Sequence, residues 1–222
     1  KDDKTKDRIM AQLQIAIVPV TDFQQNCTLM WDAESKNGVV VDPGGDLERI
    51  EAAIAENGIN VQAIWLTHGH IDHAASAMDM KDKLGVEIIG PHEADLPLLS
   101  NLEKQAEMFG LQGKVRNVTP DRWLTEGETL TIDDHSFEVF HCPGHAPGHV
   151  VFYNAAIAFA HVGDVLFNGS IGRTDLPGSN HADLISSIND KLMKWPDEVQ
   201  FICGHGPAST IGKERATNPF LN

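Results

Sequence analysis

Residues 66–76, LTHGHIDHAAS, place His68, His70, Asp72 and His73 within six consecutive positions. Imidazoles and carboxylates are costly to bury without partners. Four of them on one short turn need a shared reason. The turn follows QAIWLT, residues 62–67, an apolar run that reads as a buried strand. It precedes AASAMDMKDKLG, residues 74–85, which reads as a helix ending on glycine. A loop between two rigid elements is where a scaffold presents reactive side chains.

The same arrangement recurs further along. CPGHAPGH puts His145 just past the strand SFEVFHC, VGDVLF puts Asp164 just past AIAFAHV, and CGHGP puts His205 just past VQFICG. Each time a strand runs out, glycine is adjacent, and the charged or imidazole side chain stands on the loop beyond. Five histidines and two aspartates on four loops suit borderline divalent ions such as zinc, manganese or iron. Seven ligands exceed the four of a tetrahedral zinc, so the count points to two ions with one bridging carboxylate. Taken singly, His145 or His205 reads as a turn histidine, and Asp164 as a cap. All these bland readings would have to hold together. His149 is expected to hydrogen-bond locally or to orient a ligand. Asp42, in VDPGG, either orients an imidazole or caps its turn. His92, His135 and His181 read as surface residues.

Before the histidine turn, LQIAIV, NCTLMW and GVVVDPGG read as strands, and DLERIEAAIAENG as a helix with Leu47, Ile50 and Ile54 on one face. Asp46 is its expected N-cap and Gly58 its stop. VEIIG follows the second helix as a strand. Residues 92–120 read as helix and loop, with a small insertion around 92–110 as one reading. TLTI, SFEVFHC, HVVFYN and AIAFAHV follow as strands, then a helix over 181–194 and the strand VQFICG. Two batches of strands with helices attached imply two packed sheets with helices outside. A chain of 222 residues can bury a real core, and residues 10–222 are expected to form one domain. KDDKTKDRI, residues 1–9, is charged and lacks an apolar run, so it reads as a disordered tail or cloning remnant.

The composition excludes several classes. A net charge of −15 repels nucleic acid. No apolar stretch approaches a membrane span. Cys27, Cys142 and Cys203 are odd in number and far apart, which argues against a disulfide framework and for the reducing cytoplasm. Nothing in the composition fixes the oligomeric state.

THGHIDH, PGHAPGH, GDVLF and GHGP, in this order, resemble the metallo-β-lactamase superfamily, and within it the short, single-domain glyoxalase II-like branch. The resemblance spans nearly everything from Ile15 to Leu221. It implies an α/β fold, a four-layer αββα sandwich with the site at one edge of the sheets. It also implies two divalent metal ions, zinc foremost, with iron or manganese as alternatives. One would be held by His68, His70 and His145, the other by Asp72, His73 and His205, with Asp164 bridging. Asp72 and Asp164 are then the catalytic carboxylates. The implied reaction is hydrolysis of a small-molecule thioester such as S-lactoylglutathione. A thiolate, with a conjugate-acid pKa near roughly 8.5, leaves without a strong general acid. Two departures from glyoxalase II stand out. The stretch after His205 is too short for the helical domain that grips glutathione. Arg173 and Asp175 stand where that family has a glutathione-contacting Lys and a nearby Tyr. Arg173 either reads an anionic substrate or pairs with Asp175. The alternatives on the same scaffold are a mono-iron persulfide dioxygenase using His68, His145 and Asp164, and a lactonase or other metallo-hydrolase.

Overall fold

The apolar runs become two sheets in the computed structural model, which describes residues 12–111 and 113–222. The expected tail, residues 1–9, lies outside the described residues. The first sheet holds β1 (Leu13–Val20), β2 (Gln25–Asp32), β3 (Asn37–Val41), β4 (Asn60–Trp65) and β5 (Glu87–Ile89), in that spatial order. Its first three strands pair antiparallel, and β3, β4 and β5 run parallel. The second sheet starts with β6 (Thr129–Ile132), β7 (His135–His141), β8 (Val150–Asn154) and β9 (Phe159–His161). A small hairpin, β10 (Leu166–Phe167) and β11 (Ser170–Ile171), stands apart. Then β12 (Gln200–Ile202) and β13 (Ser209–Thr210) complete the second sheet, whose order is β13-β12-β9-β8-β7-β6.

Period-two alternation sorts the side chains into layers. Val39 and Val41 point inward, onto Phe137, Val139 and Phe152 of the second sheet, and Val40 points outward beneath Ile50. Val150 and Phe152 likewise face inward while Val151 faces out. Trp65 closes the inter-sheet layer, with ring centroids 5.5 Å from Phe137 and 5.2 Å from Phe152. The outer face of the first sheet is covered by α1 (Leu47–Asn57), α2 (Ile71–Ala74), α3 (Ala77–Leu84), α4 (Leu96–Leu99) and α5 (Leu102–Met108). The second is covered by α6 (His181–Asp190) and α7 (Ile211–Thr217). Helix, sheet, sheet, helix is the αββα sandwich expected from the sequence.

Several boundaries differ from the sequence reading, each for a local reason. The expected helix over 74–85 is broken in two, because the Ser76 N–H donates to the Pro43 carbonyl (3.0 Å) instead of continuing a ladder. Asp46 does precede α1, but its carboxylate accepts the Thr21 N–H (2.7 Å) and caps nothing. The strand expected over 156–162 begins only at Phe159, since Asn154 accepts the Ala156 N–H and winds 155–157 into a 3₁₀ turn. The helix expected over 181–194 stops at Asp190 and gives way to a 3₁₀ turn, Leu192–Lys194. His135 is not a surface residue. It is buried because its Nε2 meets Asp32 Oδ2 at 3.1 Å. His92 is half-buried and stacks on His141, and His181 is exposed. The three cysteines are free and buried, and among the described residues no helix is long and apolar enough to cross a membrane.

Candidate metal centre

Four strand ends converge at one edge of the sandwich. The loop after β4 carries His68 and His70 into α2, whose first turn presents Asp72 and His73. The loops after β7, β9 and β12 carry His145, Asp164 and His205. All seven expected side chains meet. The ligand atoms of His68, His70 and His145 lie within 4.8 Å of one another, and so do those of Asp72, His73, Asp164 and His205. Asp164 Oδ2 stands between the groups, 3.3 Å from His73 Nε2, 3.4 Å from His145 and His205 Nε2, and 4.0 Å from His68 Nε2. Asp72 Oδ2 is 3.1 Å from His205 Nε2 and 3.5 Å from His73 Nε2.

The far sides of the rings decide which nitrogens are bare. A carbonyl or ionised carboxylate only accepts, so any ring nitrogen facing one must carry the proton. His145 Nδ1 therefore donates to the Arg173 carbonyl (2.8 Å), and His205 Nδ1 donates to the Phe23 carbonyl (3.1 Å). His73 Nδ1 donates to Asp42 Oδ2 (2.7 Å). Thr67 gives its hydroxyl proton to the same oxygen (2.6 Å), so its Oγ1 can only accept from His68 Nδ1 (2.9 Å). Asp42 Oδ1 takes the Thr67 N–H (2.8 Å). One buried carboxylate thus sets the tautomers of two histidines, one of them through a threonine. The other nitrogen of each of these four rings, Nε2, is left aimed at the carboxylates. His70 completes the set, with Nδ1 3.0 Å from His145 Nε2, the separation of two nitrogens sharing one proton or one cation.

Charge is concentrated here. Burial opposes protonation of His73, but Asp164 and Asp72 outweigh it and hold its pKa well above the ordinary value. Burial likewise opposes charge on His205, and hydrogen bonds to Asp164 and Asp72 lift it to about 9. Burial alone would raise Asp164, yet His73 and His205 hold it well below the carboxylate range. His68 and His145 are depressed by burial, and His70 is pushed to about 3. Imidazoles beside ionised carboxylates are a donor set for a divalent cation, which would take the place of the protons that His73 and His205 hold. The fit is confirmed by orphaned atoms: His68 Nε2, His73 Nε2 and Asp164 Oδ1 are buried without a hydrogen-bond partner. Buried polar atoms are rarely left so.

The cluster has little room to adjust. A Cβ on Gly204 would come within 2.0 Å of Asp164 Oδ1, and one on Gly172 within 2.0 Å of the Asp164 carbonyl. The segment around 92–110 braces the histidine turn. Buried Asp95 accepts the Gly69 N–H (2.7 Å) and the Gly148 N–H (2.5 Å), tying the loop of His68 and His70 to that of His145. Gln105 accepts the Ile71 N–H (3.0 Å) at the start of α2. Asp42 orients an imidazole, as one of its two readings held. His149 bonds locally: its Nε2 accepts the Asp164 N–H (3.0 Å), and its ring stacks on His68. Thr67, Asp95, Gln105 and the two carbonyls escaped the sequence reading. Only the distant partners reveal them, and a carbonyl has no residue type to signal it.

The cavity above the cluster holds about 320 Å³, with Phe23, Phe109, Phe167 and Ile171 in its walls and Arg173 at its side. The Arg173 guanidinium is exposed and pairs bidentately with Asp175, Nε to Oδ1 at 2.6 Å and Nη2 to Oδ2 at 2.8 Å.

The profile of the metallo-beta-lactamase superfamily matches residues 20–205. The chain belongs to this superfamily. Hydroxyacylglutathione hydrolase GloC of Haemophilus influenzae is 48% identical over 95% of this chain and 99% of its own length. The probable metallo-hydrolase YqgX of Bacillus subtilis is 33% identical over 92% of this chain and 96% of its own. Among solved structures, TTHA1623 in a di-iron-bound form superposes with a TM-score of 0.84 and 37% identity, covering 93% of this chain and 100% of that one. BLEG-1, described as a B3 metallo-beta-lactamase, superposes at 0.85 with 35% identity, covering 94% of this chain and 99% of that one. The chain is an enzyme, a metallo-hydrolase of this superfamily, as its motifs led one to expect.

Proposed function

We propose that the chain is a dinuclear metal-dependent hydrolase of a small-molecule thioester of the hydroxyacylglutathione type. The observation that carries this is the set of imidazole Nε2 atoms gathered around Asp72 and Asp164, with buried atoms that nothing in the described residues satisfies. His68, His70 and His145 would hold one ion, Asp72, His73 and His205 the other, and Asp164 would bridge them. When bound, two divalent ions supply Lewis acidity and a nucleophile at neutral pH. The protein's own residues do the rest. Asp42, Thr67, Phe23 and Arg173 lock the rings through hydrogen bonds on their far nitrogens. Asp164 and Asp72 stay ionised beside them. Phe23, Phe109, Phe167 and Ile171 exclude water around the reacting carbonyl, which strengthens each electrostatic contact. Among the described residues the cavity wall offers no neutral acid to protonate a poor leaving group. A thiolate needs none, which favours a thioester over an amide. The similarity to the Haemophilus hydrolase supports the same substrate class, and the di-iron neighbour supports two ions. Free buried thiols suit a reducing cytoplasm.

Elemental analysis of active, metal-replete protein is expected to give about two divalent ions per chain, with S-lactoylglutathione as a substrate. The same preparation is to be offered a lactone, a cephalosporin and glutathione persulfide. One tightly bound iron with full activity, oxygen uptake on the persulfide and no gain from added zinc or manganese would overturn the reading in favour of a dioxygenase. Turnover of the cephalosporin alone would move the enzyme toward BLEG-1.

Arg173 is proposed to read the anionic carrier of the thioester. Its fork of donors suits a carboxylate, and an exposed pair with Asp175 contributes little to stability, so a substrate can take Asp175's place. Arg173→Ala is expected to raise KM for a glutathione thioester about tenfold, roughly 1.4 kcal/mol. Turnover changes less, because the contact exists in ground and transition states alike. A neutral thioester should be indifferent. Equal losses on charged and neutral substrates would show that the side chain only supports its loop.

A further inference from the structure

A second cavity of about 370 Å³ opens from the first, and the two share His70, Gln105, Phe109 and Leu176. Its walls are Pro97 and Leu98 of α4, Met108 at the end of α5, Pro147, and the turn at Pro177. Among the described residues no carboxylate lines it, in a chain whose net charge is −15. Of the polar side chains in the wall, the two amides are already occupied, and His70 Nε2, buried without a partner, belongs to the metal cluster. The Gln105 amide accepts from Ile71 N–H and donates to the Leu98 carbonyl (3.0 Å). The Asn101 amide donates to the Pro97 carbonyl (2.8 Å). Lys104 is the one cation in the wall among the described residues, and it lies exposed at the rim. Met108 is 63% exposed and Phe109 41%, an unusual outlay of large apolar surface beside a polar centre.

A carbonyl attacked beside His70 has one substituent toward each cavity. A peptide-like carrier brings amides and carboxylates that need partners, and this wall has almost none to give. An acyl tail needs none. Resting on the thioester reading above, we propose that this cavity is the acyl subsite, and that it selects unbranched apolar acyl groups well beyond the size of a lactoyl group. Taking about 30 Å³ per methylene, the room of one water molecule, a hexanoyl tail fills less than half of it.

The test is a series of acetyl, butyryl and hexanoyl thioesters on two carriers, glutathione and neutral N-acetylcysteamine, with metal-replete enzyme. Full burial of a methylene is worth about fourfold (~0.8 kcal/mol). A rise in kcat/KM of roughly threefold per methylene is expected on both carriers. Met108→Asp, at an exposed position that folding tolerates, sets a charge in the wall and should flatten the series, while Met108→Leu keeps it. Rates independent of chain length on a thioester that is still hydrolysed would overturn the subsite and leave the thioester reading standing. So would a series that survives Met108→Asp unchanged. If no thioester is turned over by any arm, both readings fall together.

Discussion

Asp164→Asn is expected to lower kcat/KM about a thousandfold on every substrate of the enzyme, ~4 kcal/mol of transition-state stabilisation. Oδ2 lies within 3.4 Å of three imidazole nitrogens and within 4.0 Å of a fourth. Asp42 also lies near His68 and His73, but on their Nδ1 side, so Asp164 is the carboxylate that stands between the Nε2 atoms of both groups. The amide keeps the shape and loses the charge. Two cations held by neutral nitrogens and Asp72 alone would repel each other with nothing between them. The fold should survive, because the Asp164 backbone N–H keeps its bond to His149 and Gly204 still closes on the side chain. The measurement is turnover at saturating metal, with bound metal counted in the same sample and circular dichroism to establish folding. Near-wild-type turnover with two ions bound would strip Asp164 of its bridging role.

Asp42→Asn is expected to weaken metal binding about 10- to 100-fold, although Asp42 would touch no metal. Three donors point at this buried carboxylate: His73 Nδ1–H and the Thr67 hydroxyl at Oδ2, and the Thr67 N–H at Oδ1. An amide has one oxygen. If that oxygen stays with His73, its NH₂ faces the Thr67 N–H, donor against donor. If the amide turns over, its NH₂ faces His73 Nδ1 and drives the proton to Nε2, the nitrogen the centre needs bare. The first choice leaves a buried donor unsatisfied, at about 1–3 kcal/mol of stability, and the second puts a proton on the nitrogen that faces Asp164. Competition with a coloured chelator measures the affinity, and thermal unfolding of the metal-free variant measures the rest. A loss of stability with unchanged affinity would mean that Asp42 holds the turn and does not orient the rings.

These two aspartates show what a sequence displays and what it hides. Asp164 was visible because it follows a strand and precedes the glycine-rich stretch typical of the other ligand loops. The layers were visible too, since Val39, Val40 and Val41 alternate between two cores. Asp42 was only half legible: the VDPGG turn marks a special backbone, but its partners His73 and Thr67 come later in the chain and from another strand. Asp95 was not legible at all. A carboxylate among short helical turns looks solvated, and only the folded chain shows burial pushing its pKa up to about 7 against the N–H groups of Gly148 and Gly69. His135 was misplaced for the same reason, since its partner Asp32 lies on a strand of the other sheet. The break between α2 and α3 depends on a carbonyl thirty-odd residues earlier. Local pattern reads periodicity well and reads distant hydrogen bonds poorly.

The convergence of four loops at one edge also orders events in time. His68, His70, Asp72 and His73 leave the ribosome early, together with the first sheet. His145, Asp164 and His205 follow with the second. At about 5–20 residues per second, the first and last ligands emerge on the order of ten seconds apart. During that interval the nascent chain offers only four of the seven side chains that meet at the site. The full set of seven side chains therefore exists only in the finished sandwich, after β12 has paired with β9 and brought His205 into place.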